Sequence, residues 1–418
     1  MCERLDSVLP FGWSLKTLSD IAIDENGIVD GPFGSNLKVS DYVDDAENGV
    51  PVLTTKNLSG DYSRGTLRYV TKDKYDTLKR STVFPGDILV AKIGSIGKCG
   101  IYPLTQKKAL IPANLLKITL KEEYDRKFVF YYIQSGQFQK LIKSISTATA
   151  QPAFNVTKFR KLPVIIPPLE EQKRIVARIE ELFSELDAAV ATLERTKEQL
   201  AVYRQAVLKE AFESLSHDTP YPFIKDVCHE VKVGIVIKPK QYYTDKPNGI
   251  RAFRSANVRE FYVNDSDWVY LTEYGHEQNK RSEIHTGDVL VVRSGYPGTA
   301  CVVPEEFNNC NAIDILIAVP NKDKITSEYL CAYTNSPHGR KLITEKKRGV
   351  AQAHLNVGGY SQMTIPVPDI ETQKQIVDGI ELKLSIYDNI MKTLDDSLQE
   401  AEAMRQSILK QAFNGELN

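Results

Sequence analysis

The clearest pattern in the chain is a pair of long, uninterrupted amphipathic stretches. One follows Pro167-Pro168 and runs to Phe212; the other follows Pro366-Val367-Pro368 and runs to Phe413. Neither contains a proline, and Gly379 is the only glycine in either. In the first, Ile175, Ile179, Leu182, Leu186, Ala189, Leu193, Leu200 and Val207 recur at alternating spacings of four and three, with a polar break at Thr196. In the second, Ile376, Ile380, Tyr387, Ile390, Leu394, Ala401, Met404 and Ile408 keep the same phase, broken at Lys383 and Ser397. That spacing predicts coiled-coil helices entered at proline. About 44 residues at ~1.5 Å each make a rod of ~65 Å. A heptad stripe wants a helical partner and each helix supplies one, so the expected role is a spacer rather than a helix packed on its own domain. Ile175, Ile179, Leu186, Leu193, Ile376, Ile380 and Leu394 are the expected partner-binding positions.

The segments before each helix read differently. Short β-rich runs bounded by Gly, Pro and Asn occur at 50–54, 87–91 and 115–120, and again at 288–293 and 313–319. Helical patterns follow near 126–143 and 326–345. Each is expected to form a compact mixed domain of ~150 residues.

A shift of 201 residues superimposes the two halves. Thr82 to Val90 falls on Glu283 to Val291, and Gln151 and Asn155-Val156 fall on Gln352 and Asn356-Val357. Residues 170–213 match 371–414 at 17 of 44 positions without a gap. Solenoid repeats run 20–50 residues; this is the tandem duplication of a domain-sized unit. The expected layout is a first globular domain at 1–166, a helix at 167–214, a second domain at 215–366 and a helix at 367–418. The fold class is α/β (α+β), with pseudo-two-fold internal duplication and two long antiparallel helices.

A net charge of −1 argues against a polyanion-binding protein until the charge is mapped. Residues 170–213 hold 7 basic and 10 acidic side chains, and 369–418 hold 5 and 10. Residues 1–169 hold 23 and 17, a local excess of positive charge that suits phosphate contact. Residues 214–368, with 18 and 17, add no such signal. The first residues, Met1 to Asp6, have neither the basic nor the apolar region of a signal peptide, and no apolar run reaches ~20 residues. A cytoplasmic protein without membrane contact is expected. The six cysteines form no C-x-x-C pair, so buried reduced thiols are expected in place of a metal site.

Catalytic signatures are missing. Lys92 to Cys99 resembles a phosphate-binding loop only faintly, because the motif needs glycine at Lys92 and Ser or Thr at Cys99. Ile166-Pro167-Pro168-Leu169 lacks the leading Asn or Asp and the trailing aromatic of an amino-methyltransferase site. No H-E-x-x-H or G-x-S-x-G occurs. The expectation is a binding chain with no catalytic residue, no metal and no cofactor of its own.

The order of motifs resembles the specificity subunit of type I restriction–modification systems. The likeness is carried by Pro10-Phe11-Gly12-Trp13, Leu18-Ser19-Asp20-Ile21, Gly31-Pro32-Phe33-Gly34-Ser35, Gly86-Asp87-Ile88-Leu89 with Gly94 and Gly97, Pro167-Pro168-Leu169 with Gln172, Ile175 and Val176, and Ile408 to Leu417. The loop at Gly31 to Leu37 has no clear counterpart near Gly234. The resemblance implies that each globular part is a target recognition domain reading one half of a bipartite double-stranded DNA site. It implies helices that set the gap and dock two methyltransferase subunits, which modify adenine N6. Two restriction/translocase subunits would join them. S-adenosylmethionine, ATP and Mg would belong to those partners. An adaptor that bridges two proteins through its coiled coil without reading DNA is the alternative.

Candidate DNA-contacting residues come from matched loops. Gly94-Ser95-Ile96-Gly97-Lys98 corresponds to Gly295-Tyr296-Pro297-Gly298-Thr299, and Lys92 and Arg293 precede them. Lys56-Asn57 pairs with Arg254 and Asn257, whose amide and guanidinium groups suit adenine and guanine edges. Gln151 and Gln352 lie between domain and helix. The candidates are therefore Lys92, Ser95, Lys98, Lys56, Asn57, Gln151, Arg254, Asn257, Arg293, Tyr296 and Gln352.

Overall fold

A computed structural model describes residues 9–417 apart from 33, 45, 64–66, 148–149, 247–248 and 348–353. The chain divides into two compact units. The first comprises residues 1–193 and 396–418, the second residues 194–395. Each long helix thus contributes one half to each unit.

In the first unit a four-stranded antiparallel sheet has the order Ile28–Asp30, Leu115–Ile118, Ile88–Ala91, Cys99–Ile101. Its central strands are buried on both faces; Ile88–Ala91 is wholly apolar, and in Leu115–Ile118 the buried Lys117 pairs with Asp87 at 3.5 Å. A five-stranded mixed sheet of shorter strands holds Val50–Val52 between Arg68–Val70 and Ala109–Leu110, the latter pair parallel. The second unit repeats both. Its antiparallel sheet runs Cys228–Val233, Ile315–Pro320, Val289–Val292, Ala300–Val302. Its mixed sheet again carries one parallel pair, Ile250–Phe253 with Asn311–Ala312.

The expected helix at 126–143 is two helices, Arg126–Gln134 and Gly136–Ser144, broken at Ser135. The buried Ser135 hydroxyl caps the second by accepting from the Phe138 amide. The second unit breaks at the matched Ser336, between Ser327–Asn335 and Pro337–Lys347, where proline cannot continue the helix.

The long helices span Leu169–Glu213 and Ile370–Phe413. They run antiparallel. In the first unit Arg405 pairs with Asp187, and Ile408 to Phe413 share a core with Ile175, Ile179 and Phe183. In the second unit Lys197 pairs with Asp395 and Lys383 with Glu210, so one helix advances as the other retreats. The expectation of a spacer in place of packing on the domain needs correction, because the helix ends do both. Ile175, Val176 and Ile179 join Leu18, Phe128 and Phe159 in the first core. Val377 and Ile380 join Ile224, Tyr329 and Tyr360 in the second.

The duplication holds down to single rings. Phe413 packs edge-on against Phe128 and Tyr132 at 5.3 and 5.0 Å. Phe212 packs the same way against Tyr329 and Tyr333 at 5.4 and 5.2 Å. All three positions are related by the 201-residue shift. Gln172 and Gln373, also so related, are fully buried at the helix starts. Gln172 accepts from the Asp125 amide and donates to the Pro167 carbonyl, both at 2.8 Å. Gln373 accepts from Thr326 and donates to Lys324 and Pro368, all at 2.9 Å.

Gly31 does have a structural counterpart in Gly234. A Cβ on Gly31 would lie 2.1 Å from the Pro112 carbonyl, and one on Gly234 2.3 Å from the Ala312 carbonyl oxygen. Both strands pass too close to a neighbouring backbone for any side chain. The sequence around each glycine diverged while the close approach stayed, which hid the equivalence.

Candidate functional site

Each unit brings the predicted loops together. The Gly94–Lys98 loop joins the strands Ile88–Ala91 and Cys99–Ile101, with Gly94 and Gly97 at φ of 78° and 80°. Gly295 and Gly298 repeat this at 82° and 89°. Only glycine adopts that conformation without strain. Gly97 also lies under the Gln139 side chain and Gly298 under Ile343 and Arg340. The second glycine of each loop therefore serves packing as well as the turn, whereas a Cβ on Gly94 or Gly295 would meet nothing within 4 Å.

Beside this loop stands the asparagine turn. Lys98 Nζ donates to Ser59 Oγ at 2.7 Å, which links the loop to the turn Thr55–Ser59. In the second unit the two loops border one cleft of about 730 Å³ lined by Ser255, Arg259, Ser294, Tyr296 and Arg340. The segment carrying Gln151 runs alongside, since Gly94 donates its amide to the Pro152 carbonyl at 3.0 Å. Gln352 lies outside the described residues.

Five of the predicted contacts are committed internally. Asn57 is 1% exposed; its amide oxygen accepts from the Thr54 amide and its nitrogen donates to the Asp61 carbonyl, both at 2.6 Å. Asn257 is fully buried, accepts from the Arg254 amide and donates to the Asn264 and Ser266 carbonyls. Both hold their turns from inside, with their amides committed to backbone partners. Lys92 is paired to Asp30 and Arg293 to Asp314, in mostly buried settings. The matched cations find acids from different elements, so the pairing rather than the acid is duplicated. Arg254 binds Asp267 through carboxylate and carbonyl. Charged side chains tied up this way help keep the loops in shape.

The residues left at the surface are Lys56, Ser95, Lys98, Gln151 and Tyr296, the last 85% exposed at the loop tip. Along the helix stripe Ile175, Ile179, Ile380 and Leu394 are buried, and Leu186, Leu193 and Ile376 half-buried. Ile175 and Ile179 belong to the core of the first unit and Ile376 and Ile380 to that of the second.

Arg259 and Arg340 escaped the sequence reading. Arg340 donates to Glu260 at 3.0 Å and to the Pro297 carbonyl at 2.9 Å, bracing the Tyr296 loop from below. Burial pulls its guanidinium below the usual value while Glu260 opposes the shift. Its counterpart, Gln139, braces the other loop through Gly97. The only sequence signal was that both lie at one repeat position.

Among the described residues no group of three or more His, Cys, Asp or Glu could hold a metal ion. The five described cysteines are buried and unpaired, and burial pushes the Cys99, Cys228 and Cys301 thiols up to about 12. Among the described residues no helix is long and apolar enough to cross a membrane.

Comparison with known proteins accounts for both units. The model of the type I restriction modification DNA specificity domain matches residues 12–200 and again 223–400. The type I restriction enzyme EcoBI specificity subunit of Escherichia coli is 26% identical over 97% of this chain and 86% of its own length. The EcoKI specificity subunit of Escherichia coli strain K12 is 25% identical over 98% and 90%. Among solved structures, one from work on complex assembly and conformational transition of the type I R-M system superimposes with a TM-score of 0.74. It has 17% identity and covers 98% of this chain and 99% of its own. The HsdS subunit from Thermoanaerobacter tengcongensis gives 0.56, also at 17% identity, covering 98% of each chain. With the specificity domain matched twice, in the two units that the structure separates, the chain belongs to the family of type I restriction–modification DNA specificity subunits.

Proposed function

We propose that this chain reads a bipartite double-stranded DNA site, one half-site per unit, on behalf of subunits that carry the chemistry. The observation that supports this most is the duplication of the loop pair. Each unit presents a glycine-pinned hairpin tip beside an asparagine-held turn, while the side chains on the tips differ: exposed Ser95 and Lys98 in one, exposed Tyr296 and half-buried Thr299 in the other. Conserved scaffolding with divergent tips is what two readers of different sequences need, since backbone contacts position and side chains at base edges specify.

The antiparallel long helices would act as the ruler between half-sites and as the platform for two methyltransferase subunits that modify adenine N6. Two restriction/translocase subunits would complete the assembly. S-adenosylmethionine, ATP and Mg would be bound by those partners, and the complex would work in the cytoplasm. The chain by itself would be non-catalytic.

The test is to co-express the full chain with its methyltransferase subunit and sequence the methylated DNA. A two-part motif with a fixed gap is expected. Insertion of four residues, about one turn, into both long helices should lengthen the gap and leave each half-sequence unchanged. A change in the half-sequences with the gap preserved would show that the helices are not the ruler.

A further inference from the structure

The two units differ where the long helices meet the domain. In the first, Phe130, Tyr131 and Phe183 form an aromatic cluster: Phe130 and Tyr131 are 5.1 Å apart, and Tyr131 meets Phe183 edge-on at 5.6 Å. Arg405 lies over the Phe183 ring at 4.4 Å and pairs with Asp187. At the matched positions the second unit has Cys331, Ala332 and Leu384. Three rings are replaced by small or aliphatic side chains, and a cavity of about 500 Å³ lies there, lined also by Val377 and Ile380. That is within the range of ligand-sized pockets.

Charge is rearranged with it. Arg204, the counterpart of Arg405, pairs with Glu260 and leaves Asp388, the counterpart of Asp187. Among the described residues Asp388, Glu328 and Glu381, all on the cavity wall, make no ion pair. Phe261, also on the wall, holds a φ of 73°. For a bulky residue that is strained, and such strain gathers at functional positions. Next to the cavity, Leu382, Ile386 and Ile390 are 66%, 51% and 40% exposed along one face of the second helix. Their counterparts are Glu181, Glu185 and Ala189. An exposed apolar row beside an open apolar cavity marks an interaction surface.

We propose that this cavity takes an aromatic side chain flanked by Lys or Arg from the methyltransferase subunit, so that the two units bind that partner unequally. The first unit shows what fits the place: aromatic rings capped by a guanidinium. The three carboxylates supply the complementary charge for a basic flank, and a single buried aromatic anchor is the usual centre of such a contact. The inference rests on the reading of the chain as a specificity subunit and adds which unit holds the anchor site.

The test uses the full chain with its methyltransferase subunit, followed by native mass spectrometry and titration. The first variant, Ala332→Tyr with Leu384→Phe, transplants the first unit's rings into the cavity. It should melt no lower than wild type yet bind one of the two partner copies about tenfold or more weaker, with the other unaffected. The second variant, Glu328→Gln, Glu381→Gln and Asp388→Asn, leaves the cavity open. It should weaken the same step and flatten its salt dependence; it decides the matter if the first variant fails to fold. Two partner copies bound as in wild type by both variants would overturn the proposal. A wild-type chain that binds no methyltransferase subunit would instead overturn the specificity-subunit reading, and the cavity proposal with it.

Discussion

The buried glutamines at the helix starts give the sharpest stability prediction. Gln172→Leu keeps roughly the same size but replaces the amide with an apolar group, which strips the Asp125 amide and the Pro167 carbonyl of their partners. A buried polar group left unsatisfied costs about 1–3 kcal/mol. Two such groups cost about 2–6 kcal/mol, and less about 1–2 kcal/mol gained by burying an aliphatic side chain the net loss is about 1–4 kcal/mol. For a unit of this size each kcal/mol corresponds to about 2–4 °C, so the first unit should melt roughly 2–16 °C lower. Gln373→Leu orphans three groups, Thr326 N–H, Lys324 C=O and Pro368 C=O, and should cost the second unit at least as much. Scanning calorimetry of the full chain reads both effects. Gln172→Glu adds a pH test. The carboxylate still accepts from Asp125 but sets an oxygen against the Pro167 carbonyl, a site that favours the protonated form and raises the folded-state pKa. The deficit relative to wild type should therefore be full and constant above that raised value and shrink as pH falls from it toward the ordinary carboxyl value. A leucine variant that melts within a degree of wild type, or a glutamate variant whose deficit ignores pH, would refute the assignment of the amide as the clamp.

Three further outcomes follow from the geometry. A fragment of residues 1–215 loses Ile408 to Phe413 but retains Val207 to Phe212, the matched residues. It should form an antiparallel homodimer in which Phe212 enters the partner's Phe128–Tyr132 site and, with the methyltransferase subunit, should modify a palindrome of the first half-sequence; sedimentation as a monomer at micromolar concentration would count against this. Lys56→Ala and Lys98→Ala should each weaken DNA binding by the complex across sequences and lower the salt slope by about one, as measured by salt-titrated filter binding. Burial raises the Asp288 carboxyl above its usual value, against a hydrogen bond from the His285 amide that lowers it. The folded state thus holds that proton more tightly, and ionisation at neutral pH works against stability. Asp288→Asn, which can still accept from His285, should raise the melting point of the second unit at pH 7, with the advantage fading as pH falls through the raised pKa.

The architecture was legible because it rests on periodicities that one chain carries on its face. The 201-residue shift, the stop to proline after Pro168 and Pro368, and the alternating apolar spacing through 175–207 and 376–408 determined two copies and two long antiparallel helices. Periodicity could not say which neighbour a buried face meets. Ile175 and Ile179 satisfy a heptad and a domain core at once, and only the tertiary structure showed that they lie against Phe128 and Phe159. The site divided in the same way. Repeat matching picked out loops that the structure brings side by side in each unit, since backbone turns such as Gly94–Gly97 and Gly295–Gly298 are written in local residue type. It did not show which side chains within them are committed internally. Asn57 and Asn257 are matched because both hold a turn from inside, and a single sequence does not distinguish a duplicated structural residue from a duplicated reader. Arg340 and the cavity at Ala332 and Leu384 are set by residues distant in the chain. Whether a guanidinium braces a loop, or three lost rings leave a space, depends on which segments meet, and packing of the folded chain alone decides that.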